Sequence, residues 1–177
     1  EDEVGATIRT MEGTADVGIN RIWWDFRSEP STEVRLRTKP PYADWVDLGD
    51  DGWRSGGGQI TILEPPGTYT VVLEVDGREH RQQLTVRKDT NSEGTEADIA
   101  EQVALVRQMQ ADADAAVIVV NEIEWIRHQL GDLDELLENL GETEMVGASG
   151  ELAGTLMAVE ERLMQLWTTG TGQDGVR

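Results

Sequence analysis

The residues best suited to acid–base or metal chemistry are few, and they form no catalytic constellation. The two histidines, His80 and His128, lie in different halves of the chain and have no metal-ligand spacing around them. A histidine-based zinc site is therefore not expected. Neither histidine has a nucleophile motif nearby, and the chain contains no Gly-x-Ser-x-Gly elbow and no phosphate-binding glycine loop. The sequence predicts a chain that is not an enzyme and uses no cofactor.

Acidic residues gather in one glycine-containing stretch, where Asp47, Asp50 and Asp51 are interleaved with Gly49 and Gly52. Carboxylate oxygens on such a loop are ligands that calcium prefers. The spacing lacks the alternating ligands and the closing glutamate of an EF-hand loop. A solvated turn is the favoured interpretation, and a calcium site at these three aspartates is the alternative.

The six tryptophans of this 177-residue chain are a further candidate for ligand binding. Trp23, Trp45 and Trp53 are predicted to be the accessible ones, because the other three fall on or near apolar faces of predicted elements. A flat indole ring stacks well on the apolar C–H face of a sugar. Two interpretations stay open: these tryptophans fold the loop onto the β domain, or they bind carbohydrate.

The charge of the chain restricts its partners. The formal net charge is −20, and residues 91–177 hold 18 acidic and 4 basic side chains, a net −14. Nucleic acid and anionic membrane surfaces are not expected partners, because both need a basic protein face. The sequence has no apolar run long enough to insert into a membrane, and no cysteine. The acidity indicates either solubility or a docking face for a basic partner.

The first half of the chain has the pattern of a β domain. Asp76 and Gly77 predict a type I′ turn between two strands, and Tyr69 follows a Pro-Pro-Gly turn, where β-sandwiches often place a corner tyrosine. Short apolar alternations broken by turn residues favour an immunoglobulin-like antiparallel β-sandwich over residues 1–88. The predicted strands cover residues 6–10, 17–26, 33–37, 59–63, 68–75 and 78–87.

The second half has helical spacing. After a linker at 89–95, Thr95 and Asp98 suggest a capping box, and apolar residues then advance by three or four positions. The pattern predicts helices at about 96–139 and 149–167, with a possible break at Gly131, a flexible connection over 141–150 that includes a capping Ser149, and a flexible tail at 169–177. The fold class is thus α+β, a sandwich followed by an antiparallel helical hairpin over 96–168. Because neither helix can bury its stripe alone, a homo-oligomer through the helices is one expected arrangement.

Four segments in the first half carry a family resemblance. They read GINRIWWDFR at 18–27, VRLRTKPP at 34–41, PGTYTV at 66–71 and QLTVR at 83–87, and the residues from 166 to 177 follow the same series. Together they resemble the C-terminal region of bacterial sortilin-like proteins with sialidase-type BNR repeats, which are β-propeller proteins often labelled glycosyl hydrolases. The resemblance implies a propeller on the N-terminal side of the same parent chain and an extracellular or periplasmic location.

No catalytic residue is carried over from that family, because the propeller blades and their Asp-boxes are missing and Asp50-Asp-Gly-Trp53 lacks the Asp-box order. A start without Met also suggests a piece of a longer protein. The expectation is a non-catalytic accessory module that mediates domain packing or assembly in a larger, glycosyl-hydrolase-like propeller protein. The alternative is a carbohydrate-binding module that uses Trp45 and Trp53, with Trp23 as a further contact.

Overall fold

The computed structural model describes residues 1–40, 43 and 45–164. Within them the chain is α+β, with two antiparallel sheets of two strands each and two helices. The first sheet pairs β1 (Arg35–Leu36) with β2 (Arg54–Ser55), and the second pairs β3 (Gly67–Val75) with β4 (Arg78–Val86). The helices are α1 (Glu96–Leu140) and α2 (Thr143–Leu163).

The hairpin of β3 and β4 forms where the turn residues predict it. Asp76 and Gly77 have φ values of 50° and 73°, as a type I′ turn requires at both central positions. The register runs from Val75 opposite Arg78 to Gly67 opposite Val86. The Tyr69 hydroxyl donates a hydrogen bond to the Pro65 carbonyl, which is the corner contact expected from the sequence.

The wider immunoglobulin-like sandwich is not confirmed. The predicted strands at 6–10, 17–26 and 59–63 form no ladder, and the predicted strand at 33–37 is reduced to the two residues of β1. In their place is an isolated antiparallel bridge between Arg27 and Leu63, made by Ser28 N–H to Ile62 O at 2.9 Å and Glu64 N–H to Phe26 O at 2.8 Å. Phe26 has a φ of 61°, so the extended chain bends there and the alternating pattern before it is not continued in a sheet.

The chain divides into two compact units. The first unit consists of Glu1–Pro30 and Ile60–Gln110, and the second of Ser31–Gln59 and the chain from Ala111 onward. The linker predicted at 89–95 therefore does not coincide with a limit of either unit. Helix α1 contributes residues up to Gln110 to the first unit and the rest to the second.

The second unit has a buried apolar core. Val34 and Leu36 come from β1 and its approach, Val117 and Val120 from α1, and Met164 from the end of α2. Gly56 lies so close to this core that an added Cβ would sit 2.6 Å from Val34 Cγ1 and 2.8 Å from Met164 Cε. The core thus leaves no room for a side chain at position 56.

Both ends of helix α1 have the capping contacts that are typical of helix termini. Thr95 N–H donates to Asp98 Oδ2 at 2.8 Å and Asp98 N–H to Thr95 Oγ1 at 3.2 Å, as in a reciprocal capping box. These bonds from Thr95 lower the pKa of the Asp98 carboxyl. Helix α1 runs through Gly131 without a break. Its end is a Schellman motif, in which Gly141 has a φ of 77° and Glu142 N–H bonds to Leu137 O at 3.0 Å.

Helix α2 begins at Thr143 rather than near 149, so most of the predicted flexible connection is helical. Ser149, expected to cap the helix, is buried within it. The rest of the second predicted helix, at 165–167, and the tail at 169–177 lie outside the described residues. Neither described helix has a segment with the length and apolar character needed to cross a bilayer.

Candidate functional site

A buried charged cluster lies in the second unit, formed by Glu124 and Arg127 of α1 and Glu160 of α2. The Glu124 carboxylate accepts hydrogen bonds from the backbone N–H groups of Arg37 and Thr38, the latter at 2.7 Å. It also accepts from Thr38 Oγ1 at 2.6 Å and from Arg127 Nη1 at 2.9 Å. Glu124 therefore ties the chain that follows β1 to the middle of α1.

Arg127 connects this carboxylate to α2. Its Nη1 lies 2.6 Å from Glu160 Oε2, while Glu160 is fully buried and its Oε1 has no hydrogen-bond partner among the described residues. Burial and the negative charge of Glu124 raise the pKa of Glu160 to about 8, although the Arg127 guanidinium opposes the shift. At neutral pH Glu160 is therefore mostly protonated and uncharged. The charges that remain in the cluster are the Glu124 carboxylate and the Arg127 guanidinium, which balance each other.

The cluster is a structural connection and not an open reaction site. The cavity beside it, lined by residues that include Leu36, Arg54 and Glu124, has a volume of about 10 Å³. That is room for no more than about one water molecule. A raised carboxyl pKa often marks a catalytic acid, but the cavity that the described residues line is too small for a substrate.

Few local signals in the sequence indicate this cluster. The spacing of Glu124 and Arg127 by three residues on a helix is a common surface ion pair, and nothing local distinguishes it from its neighbours. The long-range partners, Thr38 and Glu160, follow only from the tertiary packing.

The predicted aromatic residues occupy different environments. Trp45 is 75% exposed and Trp23 is 80% exposed. Trp53 is half-buried, and the Arg35 guanidinium lies 4.9 Å from its ring centroid, so one face of its ring is occupied by a cation–π contact. Trp23 belongs to the first unit, whereas Trp45 and Trp53 belong to the second.

The three loop aspartates, Asp47, Asp50 and Asp51, are all exposed. The loop closes through backbone bonds from Gly49 N–H to Trp53 O at 3.0 Å and from Gly52 N–H to Gly49 O at 2.8 Å. Among the described residues no group of three metal-binding side chains is found. These aspartates therefore lie on a hydrogen-bonded turn, and calcium binding there remains a prediction.

The first unit contains its own buried carboxyl. Glu64 lies 2.9 Å from Arg107 Nη2, and burial raises its pKa although the arginine opposes the shift. Nearby, Trp24 packs edge-on against Tyr69 with their ring centroids 5.4 Å apart.

An open depression of about 540 Å³ also lies in the first unit. Its lining residues are Pro66, Gly67, Val86, Arg87, Lys88, Asp89, Thr90 and Glu96.

One face of the β3–β4 hairpin is open, and it carries the apolar residues of β3 beside Gln82, His80 and Arg78 of β4. The register places Tyr69 opposite Leu84 and Val71 opposite Gln82, so alternate residues of β3 share a face with those of β4. Val71 and Leu73 are each 50% exposed. We call this surface the ribbon face, and its exposed apolar members are Val71, Leu73, Val75 and Leu84.

No protein-family model, curated protein or solved structure matches the chain. The family of the chain is therefore not shown by comparison. The resemblance to sortilin-like proteins rests on the four sequence segments alone, and its functional content is a proposal.

Proposed function

We propose that the chain is a non-catalytic accessory module that packs against a neighbouring domain of a larger protein. In keeping with the resemblance, the proposed neighbour is an N-terminal β-propeller of the same parent chain, working outside the cytoplasm. The single observation that carries the proposal is the ribbon face. A two-stranded antiparallel hairpin is marginally stable in water unless its apolar face is covered, and here half of each central side chain is open to solvent.

The edge of β3 that does not pair with β4 is contacted by Glu1, which supports the same kind of contact. The Glu1 amino group donates to Thr70 O at 2.9 Å, and Thr70 N–H donates to Glu1 O at 2.9 Å. The Glu1 carboxylate also meets Arg81 at 2.7 Å. In a longer chain, the residues before Glu1 would start beside β3 and could continue its sheet, which would join the ribbon to the preceding domain.

The proposed architecture retains the finer features expected from the sequence. In it α1 and α2 form an antiparallel helical hairpin, supported by the tight turn at Gly141 and by the contact of Arg127 with Glu160. The immunoglobulin-like sandwich would be completed when the segments at 6–10 and 17–26 join a sheet on assembly. The exposure of Val17 and Ile19 in the isolated chain is consistent with that arrangement.

The test compares this chain with the full-length product of its gene by hydrogen exchange. We expect the β3 amides to exchange at least about tenfold more slowly in the longer protein. The double variant Val71→Thr/Leu73→Thr, which has a β-branched residue suited to a strand at both positions, should lose that gain. Equal exchange in both proteins would contradict the proposal, and so would turnover of a glycoside or ester by this chain that depends on one carboxylate.

A carbohydrate-binding module is the second candidate, favoured by the 75% exposure of Trp45. In this proposal the Trp45 ring stacks on a sugar and Trp53, oriented by Arg35, forms a second contact. Titration with oligosaccharides, followed by tryptophan emission, should give a saturable change that Trp45→Ala removes and Trp53→Ala weakens. A flat response over the panel would remove this candidate and leave the accessory module.

A further inference from the structure

Helix α1 has a second apolar face that is about half exposed in the described part of the second unit, where the Arg37 guanidinium lies 4.9 Å from the Trp125 ring centroid. Val119, Ile126, Leu133 and Leu140 recur at every seventh position and are between 40% and 66% exposed. Ile118, Trp125 and Leu136 lie on the same side of the helix and are also about half exposed. We call this set the α1 row. It is about 30 Å long at the rise of an α-helix, which matches a partner helix of about 20 residues.

The α1 row is distinct from the side of α1 that packs inside the unit. Val117 and Val120 are nearly inaccessible, and they lie across the helix from Leu133 and Leu140 at 100° per residue. The buried Ile123 and Leu137 lie at the margin between this side and the row. A seven-residue apolar repeat is the pattern of a helix that packs along another helix. One side of α1 therefore packs within the second unit, and the α1 row is a separate surface suited to packing against another helix.

The charge around the α1 row indicates the chemistry of its occupant. Glu122 falls within the row and Asp132 beside it, and both side chains are exposed. Helix α1 as a whole has 11 acidic and 2 basic residues. One of those two, Arg127, is held between the buried carboxylates on the other side of the helix. An apolar row with an acidic rim is complementary to an amphipathic helix that carries Lys or Arg beside its apolar positions.

A second copy of the chain fits this surface poorly. Each copy has a net charge of −20, and pairing two α1 rows would bring Glu122 and Asp132 of both copies to one interface. Like charges placed opposite each other at an interface disfavour that complex. We propose that the α1 row is a docking surface for a basic amphipathic helix of a partner protein, independent of the ribbon face.

The experiment uses the full chain and two synthetic 21-residue helical peptides as probes. One has leucine at the a and d positions of each heptad and lysine at the flanking positions, and its twin has glutamate in place of lysine. Binding is measured by anisotropy of the labelled peptide at low and high salt. The row variant, Ile126→Ser/Leu133→Ser, removes two apolar side chains of the α1 row. The charge variant, Glu122→Gln/Asp132→Asn, removes two acidic charges beside them. The matched control, Leu105→Ser/Leu152→Ser, removes two other exposed leucines.

We expect saturable one-to-one binding of the lysine peptide and none of the glutamate peptide. The row variant should bind about tenfold more weakly, as expected when two half-exposed apolar contacts are lost. The charge variant should bind more weakly at low salt only, and the control should bind as the parent does. Circular dichroism checks that each variant keeps its helices.

Four results would overturn the proposal. They are no binding of the lysine peptide, equal binding of the glutamate peptide, equal weakening by the control, and a dimer in sedimentation that the row variant dissociates. The Val71→Thr/Leu73→Thr variant should leave peptide binding unchanged. The failure of this docking surface is therefore distinguishable from the failure of the accessory-module proposal.

Discussion

The two units of this chain differ in their buried cores, although both leave some apolar residues exposed. The second unit encloses a core of Val34, Leu36, Val117, Val120 and Met164 around its strands and helices. The first unit buries Ile62 and Tyr69 but leaves Val17, Ile19 and Trp23 and most of the ribbon face in water. Since burial of apolar surface is the main favourable term in folding, the second unit has the more complete internal stabilisation.

This difference indicates which substitutions should change the stability of the chain and which should change its binding to other domains. The Glu124–Arg127–Glu160 cluster of the second unit is paired and buried, so changes there should act on folding. Apolar groups on the first unit are exposed, so changes there should act on what the unit contacts and leave its own stability almost unaltered. The predictions below use this distinction.

The largest effect is expected at Arg127. Arg127→Met removes the one guanidinium that contacts both Glu124 and Glu160, and it should lower the free energy of unfolding by about 3–5 kcal/mol, the usual cost of leaving a buried charge unpaired. Urea unfolding followed by circular dichroism measures it. Arg162→Met, at an exposed position near the end of α2, is the control and should cost less than about 1 kcal/mol. Equal losses would show that the buried cluster adds nothing to stability.

Glu160 should make stability depend on pH in an unusual direction. Its pKa in the folded protein is about 8, against 4.5 ordinarily, so the folded state binds more protons than the unfolded state between these values. Its contribution is complete below pH 4.5 and declines as pH rises through 8, by at most about 1.4 kcal/mol per pH unit. Glu160→Gln keeps the protonated shape and removes the titration.

The measurement for Glu160 is the difference in unfolding free energy between this variant and the parent from pH 5 to pH 9. It should move in favour of the variant as pH rises from 5 to about 8 and level off above that value. The matched variant Glu161→Gln, on the neighbouring residue of α2, should give a nearly constant difference. A constant difference for Glu160→Gln as well would contradict the raised pKa.

Gly56 tests the close packing of the second unit. Gly56→Ala places a methyl group under 3 Å from Val34 and Met164, and overpacking of this kind costs about 1–3 kcal/mol. Gly154→Ala is the control, because it lies in α2 with no atom within 4 Å of the added Cβ. The control should stabilise the protein by about 0.5–1 kcal/mol. Thermal melts of both variants decide between these opposite signs.

The smallest effect on stability is expected on the ribbon face. Val71→Thr/Leu73→Thr replaces two half-exposed side chains and should change the unfolding free energy of this chain by less than about 0.5 kcal/mol. Binding of an apolar dye should fall at the same time, because the exposed patch becomes more polar. A large loss of stability would mean that the face is already covered within the chain.

Local signals in the sequence predicted the elements that local chemistry determines. Asp76-Gly77 predicted the hairpin, Thr95 and Asp98 the start of α1, and Tyr69 its bond to Pro65. The start of α2 was placed too late, because Gly147 and Gly150 weaken helix propensity and packing of the helix outweighs that cost. The Glu124–Arg127–Glu160 cluster was missed because its partners are far apart in sequence. The alternating pattern of residues 17–26 predicted a strand, yet alternation alone supplies no neighbouring strand to pair with.

Hydrogen exchange of β3 in the full-length gene product, set beside this chain, tests the central claim most directly. The accessory-module account predicts that amides between Thr70 and Val75 exchange at least about tenfold more slowly in the longer protein, while those of Val117 and Val120 in the closed core do not change. Unchanged exchange in β3 would show that no domain covers the ribbon face, and it would contradict the account.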